Sequence, residues 1–159
     1  MKIDFKKMAV SFILCFLAAA VGSIFTGPAI GAWYAGLAKP ALSPPNWVFA
    51  PAWTALYIMM AVSLYLVWMK KPKKTKIFEF RAVWWFKAQL ALNTLWSVLF
   101  FGLRSPEYGL MCIFALLAAL AGTIYKFYKI DKTAAYLLVP YFCWCCFATY
   151  LNLMVAVLN

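Results

Sequence analysis

Cys143-Trp144-Cys145-Cys146 is the densest group of reactive side chains in the sequence, and on paper it could hold a soft metal ion. Helical geometry argues against that use. Successive residues on a helix point about 100° apart, so thiols at 143, 145 and 146 cannot converge on one ion. All five cysteines, Cys15 and Cys112 included, fall in apolar stretches, where a thiol behaves as a small apolar residue. The chain has no histidine, which removes the commonest zinc ligand and the commonest haem axial ligand. No metal and no resident cofactor are expected. What remains is a set of indoles and amides. Gln89, Asn93, Trp96 and Phe100 follow i, i+4, i+7, i+11, one stripe of a helix. Pro140, Trp144, Phe147, Ala148 and Leu151 form a second stripe, and Phe49, Trp53, Tyr57 and Met60 a third. Converging, the three would give stacking surfaces with a few hydrogen-bonding groups, the makeup of a site for a flat apolar molecule. The same periodicity also describes core packing, with Gln and Asn as interhelical hydrogen-bond glue. Spacing alone leaves both readings open.

The elements that must carry these stripes are membrane spans. Of the 159 residues, 67% are hydrophobic and 12% charged, against roughly 45–50% and about 25% in soluble domains. A globular protein this small has too much surface to hide that apolar content. Windows of about 20 residues place spans near 8–26, 49–69, 82–103, 108–128 and 134–158, in one domain covering 1–159 without repeats. The expected fold is therefore an all-α polytopic membrane protein with a five-helix bundle. The first stretch lacks a small-residue cleavage site and reads as a retained helix rather than a signal peptide.

The net charge of +11 is distributed as membrane topology would have it, so no nucleic-acid partner is expected. Cations sit at Lys2, Lys6 and Lys7, at seven positions from Lys70 to Lys87, and at Lys126, Lys129 and Lys132; with five spans these segments share one side. Only Lys39 and Arg104 lie opposite. The positive-inside rule then puts the N-terminus in the cytoplasm and the C-terminus outside, with the Lys70–Lys76 cluster against anionic headgroups. The interruption 27–48 carries Trp33, Tyr34 and Trp47 among Pro28, Pro40, Pro44 and Pro45. It is expected to fold down as a lid on the helix ends, or else to form an interfacial aromatic belt. The second helix should start at Asn46 or at Pro51. Small residues at Ala18/Gly22, Ala115/Ala119 and Ala118/Gly122 permit close helix contacts, within the bundle or in a dimer.

Six motifs, in order from the first loop to the last helix, resemble the TspO/MBR family of translocator and tryptophan-rich sensory proteins. They are Trp33-Tyr34-x-x-Leu37-x-Lys39-Pro40, Pro44-Pro45-x-Trp47-Val48-Phe49, Trp53-Thr54-x-Leu56-Tyr57, Gln89-Leu90-x-Leu92-Asn93-x-x-Trp96, Phe100-Phe101-Gly102 and Pro140-Tyr141-x-x-Trp144-x-x-Phe147-Ala148-x-x-Leu151-Asn152. The resemblance implies a five-helix bundle, commonly a homodimer, with a cavity under the first loop that binds porphyrins such as protoporphyrin IX, sterols and synthetic isoquinoline or benzodiazepine ligands. By position, Trp53 and Trp144 match cavity tryptophans linked in some bacterial members to light-dependent porphyrin breakdown. Gln89, Asn93, Trp96, Phe147, Ala148 and Leu151 match other wall positions, and Trp33, Tyr34, Pro44 and Pro45 match the lid; Trp47, Phe49 and Tyr57 complete the expected ligand-binding set. Lys39 and Arg104 are candidates for propionate contacts or simply snorkel to the interface. Leu42 stands where many members have tryptophan, and Tyr150 has no basic residue after it, so the sterol-recognition pattern is incomplete. The function implied is binding of tetrapyrroles in sensing, transport or disposal. The alternatives are a light-dependent porphyrin-degrading enzyme and a sterol or lipid translocator. The charge bias and the absence of a basic tail suggest a bacterial cytoplasmic membrane.

Overall fold

The computed structural model describes residues 3–70 and 76–159. Its elements are α1 (Phe5–Gly31), a 3₁₀ turn (Tyr34–Gly36), α2 (Asn46–Met69), α3 (Lys76–Ser97) running on into a π-helical turn (Val98–Gly102), α4 (Pro106–Tyr128), α5 (Lys132–Leu137) and α6 (Val139–Leu158). Among the described residues four stretches, 5–31, 46–69, 106–128 and the α5–α6 pair at 132–158, are long and apolar enough to cross a membrane. The fifth, α3, is less apolar because it carries Arg81, Lys87, Gln89 and Asn93. The chain is an all-α polytopic membrane protein. Around the bundle the helices pack in the order α1, α2, α5–α6, α4, α3.

Local chemistry explains most helix boundaries. Asp4 caps α1 by accepting from the Lys7 N–H at 3.1 Å, and Ser105 caps α4 by accepting from the Tyr108 N–H at 3.3 Å, with Pro106 at the first position, where its missing N–H costs nothing. The helix α2 starts at Asn46, after Pro45, with no side-chain cap, and Pro51 lies inside it. The first loop is shorter than the 27–48 interruption, because α1 continues through Gly27-Pro28 to Gly31. Leu138 separates α5 from α6, and Pro140 in the first turn of α6 has no N–H to continue the α5 ladder.

The interior is close-packed at the end away from that loop. Phe86 of α3 stacks on Phe127 of α4 with ring centroids 5.7 Å apart. Two glycines let helices approach: a Cβ on Gly122 would lie 2.6 Å from the Trp85 ring, and one on Gly22 would lie 3.2 Å from Ser97 Oγ. The paired small residues thus serve the bundle at Gly22, Ala119 and Gly122, whereas Ala115 and Ala118 face outward. Lys2, Lys71, Lys73 and Lys74, and with them most of the expected headgroup-binding cluster, lie outside the described residues.

Lys70 pairs with Asp131 at 2.9 Å, tying the end of α2 to the α4–α5 turn. Burial alone would raise the Asp131 carboxyl. Hydrogen bonds from the Ala134 N–H and from Lys70, with the Lys70 charge, outweigh it and hold the group below its ordinary range. A depressed carboxyl stabilises the fold at neutral pH, and that contribution is lost as pH falls through its folded titration. Asp131→Ala also removes the α5 cap. It is expected to cost about 1 kcal/mol at pH 7. The difference from the parent should shrink in acid, as read from unfolding midpoints in detergent.

Candidate functional site

A cavity of about 530 Å³ opens inside the loop-side half of the bundle, within the roughly 300–1,000 Å³ usual for small-molecule sites. Tyr57 and Asn93 form its floor, and with Tyr141 behind them they make a hydrogen-bonded trio from three helices. The Tyr57 hydroxyl of α2 donates to Asn93 Oδ1 of α3 at 2.6 Å, and Asn93 Nδ2 donates to the Tyr141 hydroxyl of α6 at 2.7 Å. All three residues are buried, and the amide supplies an acceptor for the Tyr57 hydroxyl and a donor for the Tyr141 hydroxyl.

Aromatic rings rise from this floor. Trp53 lies against both phenols, 5.8 Å from the Tyr57 ring and 6.1 Å from the Tyr141 ring. Trp144 meets Phe49 edge-on at 6.2 Å, and Phe147 at 6.0 Å. Trp96 stacks on Phe100 at 5.1 Å, and its indole N–H donates to Asn152 Oδ1 at 3.0 Å. Asn152 Nδ2 in turn donates to the Pro106 carbonyl at 2.7 Å, so the last helix orients the indole through the start of α4. The π-helical turn holds one more residue than an α turn, and both Phe100 and Phe101 end up buried and at the cavity.

The loop closes this end. Tyr34, 6% exposed, lies against Phe101 at 5.8 Å and lines the cavity. Lys39 Nζ sits 5.0 Å over the Tyr34 ring and donates to the Ala35 and Leu37 carbonyls. Asn159 clasps the loop: its Oδ1 accepts from the Ala38 N–H at 2.9 Å, and its Nδ2 donates to the Ala38 carbonyl at 3.1 Å.

Of the residues expected from sequence, Tyr34, Phe49, Trp53, Tyr57, Asn93, Trp96, Trp144, Phe147, Ala148 and Leu151 line this one cavity. Five others do not. Trp33 packs behind, 5.5 Å from Phe100. Pro44 and Pro45 lead into α2 without reaching the cavity, and Trp47, two residues and so about 200° round that helix from Phe49, is 74% exposed. Gln89 lies one turn below Asn93, fully buried; its Nε2 is 4.0 Å from Met60 Sδ, and its Oε1 has no partner among the described residues. Neither Lys39 nor Arg104 lines the cavity. Cys143 and Cys146 face outward while Cys145 is buried, and no group of metal-ligating side chains forms among the described residues. The sequence reading left out the α1 wall, which includes Phe16, Ala19, Gly22, Ser23 and Thr26. Its signal was present, as small and hydroxyl residues recurring on one side of an otherwise bulky helix.

A five-helix membrane bundle enclosing an indole-walled cavity under a structured loop defines a class of small-ligand membrane proteins. The profile of the TspO/MBR family matches residues 11–158, and the chain belongs to that family. It is similar to the "Tryptophan-rich protein TspO" of Archaeoglobus fulgidus, 41% identical over 96% of this chain and 97% of that one. The "Translocator protein" of Homo sapiens is 40% identical over 83% of this chain and 78% of its own. The "Tryptophan-rich sensory protein" of Cereibacter sphaeroides is 35% identical over 94% and 92%.

Proposed function

We propose that the protein binds flat tetrapyrroles of the protoporphyrin type in the cavity, in tetrapyrrole sensing, transport or disposal, with the porphyrin as ligand rather than resident cofactor. The observation that carries this reading is the convergence of Trp53, Trp96 and Trp144 on one cavity with a single hydrogen-bonded floor. Indole faces offer a planar π-system the stacking surface it needs. Titrating protein-loaded nanodiscs with protoporphyrin IX should give saturable quenching of tryptophan fluorescence beyond that of empty discs. Trp53→Phe and Trp144→Phe should each weaken it. Quenching that never saturates removes the reading.

A second reading, light-dependent breakdown of the bound porphyrin, draws support from Trp53 and Trp144 lining the same space. The photoexcited porphyrin would then carry the chemistry, with these indoles as oxidisable partners. A new absorbing product on illumination, lost in the two phenylalanine variants, favours it over binding alone. The charge bias supports an orientation with the N-terminus and the basic end in the cytoplasm, the loop and C-terminus outside, in a bacterial cytoplasmic membrane. The outward Ala115 and Ala118 of α4 would permit the close helix approach a homodimer needs.

A further inference from the structure

We propose that the turn joining α4 to α5 holds the phosphate headgroup of one anionic phospholipid, bound by Lys129 and Lys132 among three exposed tyrosines. This surface lies at the opposite end of the bundle from the cavity, and its partner does not depend on what the cavity binds.

The first observation is how the cations there are held. Lys126 Nζ lies 5.5 Å over the Phe78 ring and 5.8 Å over that of Trp85, both on α3. Lys129 lies 5.2 Å over Tyr125, and Lys132 lies 5.4 Å over Tyr128. Among the described residues no carboxylate pairs with any of the three, whereas Lys7 pairs with Asp4 and Lys70 with Asp131. Asp131, in the same turn, is directed inward, where Lys70 and the Ala134 N–H occupy its oxygens. A ring face attracts an ammonium but supplies no anion to neutralise it, so the charge is left for an outside partner.

The second observation is the position of Lys132. Lys126 and Lys129 end α4, where the helix dipole favours a cation whatever else it does. Lys132 opens α5, where the dipole disfavours one. Its charge therefore answers to something outside its own helix, and an anion shared with Lys129 would offset the cost.

The third observation makes the partner a lipid. The span 106–128 ends at Tyr128, so Lys129 and Lys132 stand where the chain leaves hydrocarbon. Tyr125, Tyr128 and Tyr136 are all exposed, Tyr128 meets Tyr136 edge-on at 6.1 Å, and none of their hydroxyls is hydrogen-bonded among the described residues. Phenol rings settle at headgroup depth, and their hydroxyls can donate to a phosphodiester oxygen. Towards the middle of α4, Phe114 and Met111 continue the Tyr125 face, exposed and apolar, as a surface for acyl chains. A soluble phosphate would make no contact with that face.

The test titrates detergent-solubilised protein with short-chain phosphatidylglycerol or phosphatidylcholine and counts bound lipid by native mass spectrometry. One phosphatidylglycerol should bind at least about tenfold more tightly than phosphatidylcholine. Lys129→Gln with Lys132→Gln should abolish that preference, each lysine at a membrane surface being worth roughly fivefold. Lys6→Gln with Lys87→Gln removes the same charge from α1 and α3 and should leave the preference intact. Equal losses in the two double variants would reveal diffuse attraction to a basic surface and overturn the site, as would a preference that neither pair alters. Glycerol 1-phosphate, the same headgroup chemistry without acyl chains, should not compete; if it displaces the lipid at matching concentration, the lipid assignment falls.

Discussion

Asn93→Leu is expected to lower the unfolding free energy by about 2–4 kcal/mol, because it takes a hydrogen-bond partner from two buried hydroxyls at once. Tyr57 loses its acceptor and Tyr141 its donor. Leucine keeps the branched shape of asparagine and is the larger of the two, so the loss does not come from a cavity. The decisive comparison is a triple variant, Asn93→Leu with Tyr57→Phe and Tyr141→Phe. Removing all the polar partners together approaches neutrality, so stability should largely return even though more side chains have changed. Unfolding in mixed micelles, followed by tryptophan fluorescence, measures both. A triple variant as unstable as the sum of its parts would show that the trio is not a coupled unit.

Asn93 also shows how far residue spacing reaches. Its stripe was legible because amides avoid lipid, and Asn93, Trp96 and Phe100 indeed share the cavity. Gln89 obeys the same spacing yet lies beneath the floor, since helical periodicity fixes a face and says nothing of depth along it. Phe101 escaped the pattern because the π-helical turn advances the phase by one residue, and nothing in Val98–Gly102 announces such a turn. In the last helix Pro140 was put on the inner stripe, but α6 begins only at Val139; the exposed proline opens its first turn, and Tyr141 takes the buried place. The α1 wall was the hardest to read. Lipid and an apolar cavity accept many of the same side chains, so a helix lying between them shows its cavity side only through the smaller and hydroxyl residues there. The loop divides between the two expectations made for it. Trp33 and Tyr34 fold onto Phe100 and Phe101, whereas Trp47 points outward as a belt residue would.

Ser23→Trp is expected to slow ligand association and weaken binding by on the order of 100-fold, about 2.7 kcal/mol, with little change in stability. Ser23 lines the cavity and is exposed on α1, facing the exposed lining residues Ala50 and Thr54 of α2, and its hydroxyl bonds only the Ala20 carbonyl of its own helix. An indole there would fill the opening between α1 and α2 with a rigid ring. Ile13→Trp, on the 63% exposed outer face of the same helix, supplies a control that places the same indole away from the cavity and has no expected effect. The competing route runs under the loop, and Asn159 makes it separately testable. Asn159→Ala removes both hydrogen bonds to Ala38 and so releases the loop from the end of α6. Lateral access predicts that stopped-flow association slows in Ser23→Trp and keeps its parent rate in Asn159→Ala. The reverse pattern would move the door to the aqueous end, under the loop.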